Sequence, residues 1–188
     1  MNSVTIDWVR DWALQRNVII AVERLLSLAY EDSAPQNRVT VLTEPERTPG
    51  SLVLLANRLV WVEPEEDTEV LSDQDRQYFF WVRENGIWTD MMEALASEAF
   101  GALFRAHGLS TDTQGCSIPE NESRTAVLLA LNAILFGWDA YLAPLSGRFL
   151  CHISHDGYID LRAPEEALLR VLLLRFESWG AEMRPIQG

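Results

Sequence analysis

Apolar residues recur through residues 5–30 at roughly helical spacing, with Ile6, Val9, Ala13, Val18, Ile20, Leu25, Leu26 and Leu28 set among charges. This spacing predicts one long helix, or two joined near Asn17, ended by Asp32, Ser33 and Pro35. The period then changes. Val39, Val41 and Leu42 precede a turn-rich stretch from Glu44 to Gly50, and residues 52–55 and 59–62 read as short strands around Asn57-Arg58. Residues 77–84 form a strand with Tyr78, Phe79, Phe80 and Trp81 in succession, and Asn85-Gly86 supplies a two-residue hairpin turn into a return strand at 87–89. Because successive strand residues face opposite ways, both faces of 77–84 are aromatic. Such a strand is buried on both sides, the ordinary reading, or leaves one face for a partner.

From Asp90, an N-cap, the spacing of Met91, Leu95, Ala99 and Leu103 predicts a helix to about His107, stopped by Gly108, with 110–119 as a loop. A further helix begins near Asn121, is apolar nearly all round through Leu135, and closes at Gly137. Residues 138–142 and 148–154 are strand-like, with Pro144, Ser146 and Gly147 at the turn between them, and Asp156-Gly157 makes a tight hairpin into 158–161. Pro164, Glu165 and Glu166 suit a helix start, and that helix runs to Gly180 with Leu168, Leu172 and Phe176 one turn apart and Leu169, Leu173 and Leu174 widening the stripe. Helices and hairpins come in blocks, without strict alternation. The expected fold is therefore α+β: one domain over residues 1–188, with a mainly antiparallel sheet of about six to eight strands covered by N-terminal, central and C-terminal helices.

Charge narrows the function classes. All 15 basic residues are arginine, against 28 Asp and Glu, for a formal charge of -13. A surface of this sign repels nucleic-acid phosphates and anionic lipid, so charged partners are expected to be cationic. No apolar run reaches the length of a bilayer span, and the first residues alternate acids with tryptophan where a secretory signal needs a basic and then an apolar stretch. The expected compartment is the cytoplasm. Cys116 and Cys151 lack paired spacing and read as free thiols.

The one dense group of reactive side chains is Cys151-His152-Ile153-Ser154-His155-Asp156. Cys151 with His152 as its base fails on direction, since adjacent strand residues point apart, whereas Cys151 with His155 stays open. A turn can converge His152, His155 and Asp156 on a metal or a hydrolytic site, although the spacing lacks a zinc pattern. The ordinary reading is a turn: Asp156-Gly157 is what the hairpin requires, and His155 hydrogen-bonds locally at its entry. His107, at a helix C-terminus, suits the helix dipole. No phosphate-cradling glycine loop, nucleophile elbow or dinucleotide fingerprint appears, and no cofactor or metal is expected.

Two features point to protein recognition. The acidic segment Glu63, Glu65, Glu66, Asp67 and Glu69 can steer a basic partner, and the aromatic strand with its following turn offers Trp81 and Trp88 as further candidate contacts. The segments QYFFWVRENGIW and FGWDAYLAPLSGRFLCHISHDGYIDL resemble small acidic bacterial immunity proteins that inhibit secreted polymorphic toxins. Glu84-Asn85-Gly86 and Trp88 after an aromatic strand are similar to the SMI1/KNR4-like (SUKH) group. That resemblance implies tight binding and blocking of one cognate toxin, without catalysis. The alternatives are a secretion chaperone or adaptor holding an extended effector segment, and a small hydrolase or metal-dependent enzyme using His152, His155 and Asp156. The oligomeric state is not fixed by the sequence.

Overall fold

Thr5 separates the first two elements: its side-chain oxygen accepts the N–H of Trp8 at 3.2 Å, capping helix α1 (Ile6–Leu14) directly after strand β1 (Asn2–Val4). The computed structural model describes residues 1–22, 26–30, 38–42, 49–60, 76–82, 90–111, 113–177 and 182–185. Among the described residues, five α-helices and ten strands make an α+β fold.

The long helix expected through residue 30 ends at Leu14. Asn17 adopts a left-handed conformation (φ 53°), and β2 (Val18–Val22) and β3 (Leu26–Tyr30) pair as an antiparallel hairpin, Val18 opposite Tyr30. The reason is the β-branched run Val18-Ile19-Ile20, whose burial alternates with period two: Val18 is buried and Ile19 is 46% exposed. After β4 (Arg38–Leu42), the two short strands expected at 52–55 and 59–62 are instead one helix, α2 (Pro49–Val60). Pro49 occupies its first position, and Leu52, Leu55, Ala56 and Leu59 are buried at three- and four-residue intervals. The run is apolar enough to satisfy either period, and tertiary packing chose the helical one.

Strand β5 (Tyr78–Val82) is buried along its whole length and has neighbours on both sides, β6 (Gly115–Ile118) and β7 (Ala140–Pro144). The return strand expected at 87–89 lies outside the described residues. β6 falls within the stretch read as a loop; it is only four residues long, between Gln114 and Pro119, which left no periodicity to read. Helix α3 (Asp90–Ala106) ends before Gly108 (φ 73°), and α4 (Ser123–Phe136) ends at Gly137 (φ 58°), as expected from the glycines. The chain closes with β8 (Leu150–Ile153), β9 (Tyr158–Arg162), α5 (Glu166–Glu177) and β10 (Glu182–Pro185), the last not foreseen.

The main sheet has eight antiparallel strands in the order β1-β6-β5-β7-β8-β9-β4-β10. One row of paired residues, Cys116-Phe80-Leu142-Cys151-Leu161, lies in the core beneath α2 to α5. The adjacent row, Gly115-Trp81-Tyr141-His152-Asp160, faces the other way, toward α1 and the β2–β3 hairpin. The fold thus has three layers, with the sheet buried on both faces. The phenol of Tyr78 donates to the carbonyl of Val60 and ties β5 to the end of α2. On the other face, Trp12 Nε1 donates to Leu145 O at 3.0 Å, and Tyr30 donates to Gly147 O at 2.7 Å. Among the described residues, no helix is long and apolar enough to cross a membrane.

Candidate functional site

The left-handed turn at Gly137 decides where the next residues go. Trp138 N–H returns to Ala133 O at 2.8 Å, which stops α4 and delivers Asp139 to the start of β7. Ala140 faces the helical core, so Asp139 and Tyr141 face the opposite side, where β8 presents His152. His155 follows at the turn between β8 and β9, in which Gly157 has φ 82°.

Asp139 is buried, and its carboxylate holds the turn by three contacts. Oδ2 accepts His155 Nδ1–H at 2.9 Å, Oδ1 accepts the backbone N–H of His155 at 3.1 Å, and His152 Nε2 lies 3.5 Å from Oδ1. Burial alone would raise the pKa of this carboxyl. Hydrogen bonds from His152 and from the backbone and side chain of His155, together with the charge of His152, outweigh burial and lower it to about 2, so the group is ionised at neutral pH. An ionised carboxylate can only accept, so Nδ1 is the protonated nitrogen of His155. Its Nε2 then faces Asp156 Oδ1 at 3.3 Å. His152 is fixed on its other sides by aromatic rings: Tyr141 stacks on it at 4.9 Å and Tyr158 meets it edge-on at 6.5 Å.

The structure therefore brings His152 and His155 together on a fourth residue, Asp139, that the sequence did not single out, and Asp156 joins through His155. A buried carboxylate orienting one imidazole nitrogen is the geometry that sets up a general base. Here the outward nitrogen of His155 meets a second carboxylate, and the neighbouring Ser154 hydroxyl accepts the N–H of Asp156 at 3.2 Å. The arrangement is a carboxylate–imidazole–carboxylate chain that pins a hairpin. Among the described residues, no group of three or more His, Cys, Asp or Glu side chains is placed to hold a metal ion. Cys151 lies in the core on the other face from His152, fully buried, and burial pushes its thiol pKa up. Its pairing with His155 does not occur. His107, just past α3, lies 3.2 Å from both Glu122 and Thr125 and joins that helix to the start of α4.

Of the residues read as partner contacts, Glu63, Glu65, Glu66, Asp67, Glu69 and Trp88 lie outside the described residues. Trp81 is 6% exposed, with its indole laid over Gly115. It reaches solvent at an open cleft of about 360 Å³, lined also by Ser3, Val4, Thr5, Ile6, Ser110, Thr113 and Gln114. The signal for Asp139 was its place: an aspartate between a helix-ending glycine and an apolar strand, two residues before a tyrosine paired to His152. Comparison of the chain with protein-family models, with curated proteins and with solved structures finds no match.

Proposed function

We propose that this chain is a protein-binding inhibitor of the toxin-immunity type, which acts in the cytoplasm by binding one cognate basic protein and catalyses nothing. The observation that carries this reading is how the arginines are used. Arg10, Arg76, Arg105, Arg148, Arg162 and Arg170 each lie 2.6 to 3.6 Å from a carboxylate of the same chain. With these cations matched internally and no lysine present, the surplus of 13 negative charges sets the outer field. Such a field speeds encounter with a basic protein and disfavours nucleic acid and anionic membranes. The acidic segment Glu63, Glu65, Glu66, Asp67 and Glu69, with Trp88, is the contact surface we assign to that partner; Trp81, buried in the core between the sheet and α1, is not part of it.

The test is capture of partners at low and high salt, followed by association rates for the retained protein. The reading expects a single basic protein, with an association rate that falls steeply as salt rises. Replacing the five acidic residues of 63–69 by their amides slows association at least about tenfold. A retained protein that is acidic, or a rate indifferent to salt and to those replacements, overturns it.

One observation favours a second reading, a small hydrolase: His152 and His155 converge on buried Asp139. The variants His155→Ala and Asp156→Ala separate the two. Inhibition of the partner survives both if the chain is a binder, whereas a hydrolytic activity is lost with either.

A further inference from the structure

Strand β3 is held by side chains that read its backbone. Leu28 donates its N–H to the phenol oxygen of Tyr141 at 3.3 Å, and its carbonyl accepts from Arg162 Nη1 at 3.2 Å. A residue whose N–H and C=O point away from its own partner strand ordinarily meets water or a further strand. Here both groups meet side chains of the main sheet, because β2 and β3 form a two-stranded sheet of their own. The side chains of β3 are seated as well. Leu28 is fully buried in the cluster that holds Trp12, Phe79, Tyr141 and Leu150. Tyr30, two residues on and therefore on the same face, is also buried and donates its phenol to Gly147 O at 2.7 Å. The grip on Leu28 is costly to build. Arg162 is set by the carboxylate of Asp160, which is fully buried and accepts from Nε at 3.0 Å and Nη2 at 2.7 Å. A buried ion pair adds little stability over apolar packing, and what it adds is selection of one geometry. A guanidinium aimed at a carbonyl, with a phenol aimed at the N–H of the same residue, selects an extended backbone.

We propose that Tyr141, Arg162 and the seats of Leu28 and Tyr30 form a peptide-binding site that the chain fills with its own β3. The external ligand is an extended segment of another protein with an aliphatic residue, any residue and then tyrosine. That segment displaces β3, takes its place beside β2, and presents the same N–H and C=O to Tyr141 and Arg162. The occupant defines the ligand: Leu28 and Tyr30 show which side chains the seats fit, and the grip on Leu28 shows which backbone conformation they take. Because β3 belongs to the same chain, it competes at an effective concentration of about millimolar. The apparent affinity for an outside segment is reduced by the fraction of time that the site stands open. Self-occupation thus shuts out weak ligands. The site draws neither on the acidic segment nor on the inhibitor reading, and its readout is the binding of a peptide to the chain alone.

A fluorescent peptide with the sequence of residues 23–33, titrated with the full chain, tests the proposal by anisotropy. The variant Leu28→Ala weakens the chain's own occupant, so it is expected to bind the peptide at least about tenfold more tightly than the parent does. Placing Leu28→Asp in the peptide alone weakens its binding to that variant at least about tenfold, since a carboxylate then enters an apolar seat. Equal affinity of the two proteins, binding to neither, or binding that ignores the change in the peptide overturns the proposal. Should Leu28→Ala not fold, the parent decides. Saturating unlabelled peptide is expected to remove hydrogen-exchange protection from the Leu28 amide of the chain while the amides of β7 and β8 keep theirs. Unchanged exchange at Leu28 overturns the proposal. Capture of a basic protein through the acidic segment is read in a separate experiment, so the two readings fail separately.

Discussion

The phenol oxygen of Tyr141, on the central sheet, accepts the backbone N–H of Leu28 at 3.3 Å and so holds a strand of the separate hairpin against the sheet. The carbonyl of Leu28 accepts Arg162 Nη1–H at 3.2 Å, and Arg162 is itself fixed by buried Asp160 through Nε at 3.0 Å and Nη2 at 2.7 Å. Leu28 is thus gripped through both its backbone groups by side chains, where a strand in the sheet would use a backbone ladder. Tyr141→Phe leaves that N–H buried without its acceptor and costs about 1 to 3 kcal/mol. Hydrogen exchange at Leu28 is the direct measurement: its amide loses protection, while the amides of β7 and β8 keep theirs.

The same residues show what the sequence could and could not disclose. Gly108, Gly137 and Gly157 each take the positive φ that their turn or helix end requires, so those boundaries were legible from single residues. The aromatic strand was legible from its run of aromatic and β-branched residues, and the last hairpin from the Asp156-Gly157 turn between two strand-like runs. Residues 18–30 and 49–60 were not, because apolar runs of that length fit both periods, and only contact with the sheet decides between them. Asp139 was hidden for a different reason. Its partners are 13 and 16 residues away in sequence (152 - 139 and 155 - 139), and the pairing register of β7 with β8 brings them together. The acidic segment and Trp88, on which the partner reading draws, lie outside the described residues.

Gly115 is where the backbone of β6 passes under the indole of Trp81. A Cβ there would overlap Trp81 Cε3, and would lie 2.9 Å from Cζ3 and 3.0 Å from a methyl of Val4. None of these is the free end of a flexible chain. Gly115→Ala must push the ring toward the neighbouring cleft or displace the edge strand, at a cost of about 1 to 3 kcal/mol. A lower unfolding temperature with red-shifted tryptophan emission is the expected outcome, and an unchanged spectrum would mean that the backbone, not the ring, gives way.

The two thiols are protected rather than reactive. Burial pushes the Cys116 thiol up to about 12 and raises that of Cys151 as well, and both side chains sit in the core under the helices. The nucleophilic thiolate is therefore scarce at neutral pH and out of reach of solutes. Alkylation of the native protein at pH 8 is expected to label neither cysteine within the time that a denatured sample is fully labelled. Labelling of native protein at the denatured rate would require an open state of the core that this packing does not provide.

Asp139 gives the molecule a defined acid limit. Its carboxyl ordinarily titrates near 3.8 and is held at about 2 in the fold, despite burial, by His152 and His155. A lowered folded pKa means that the native state binds the proton less readily than the unfolded chain. The stabilisation is then complete above the unfolded value and is lost as pH falls through the folded one. From those two values the contribution at neutral pH is about 2 kcal/mol. Asp139→Asn removes it, so the variant should be less stable than the parent by about that amount at pH 7. The gap should narrow between pH 3.8 and 2 as the parent's own carboxyl takes up its proton. Denaturant unfolding of the two proteins at pH 7, 4, 3 and 2 measures this directly. A gap that stays constant across the series would place the stabilising role of Asp139 in the shape of its hydrogen bonds and not in its charge.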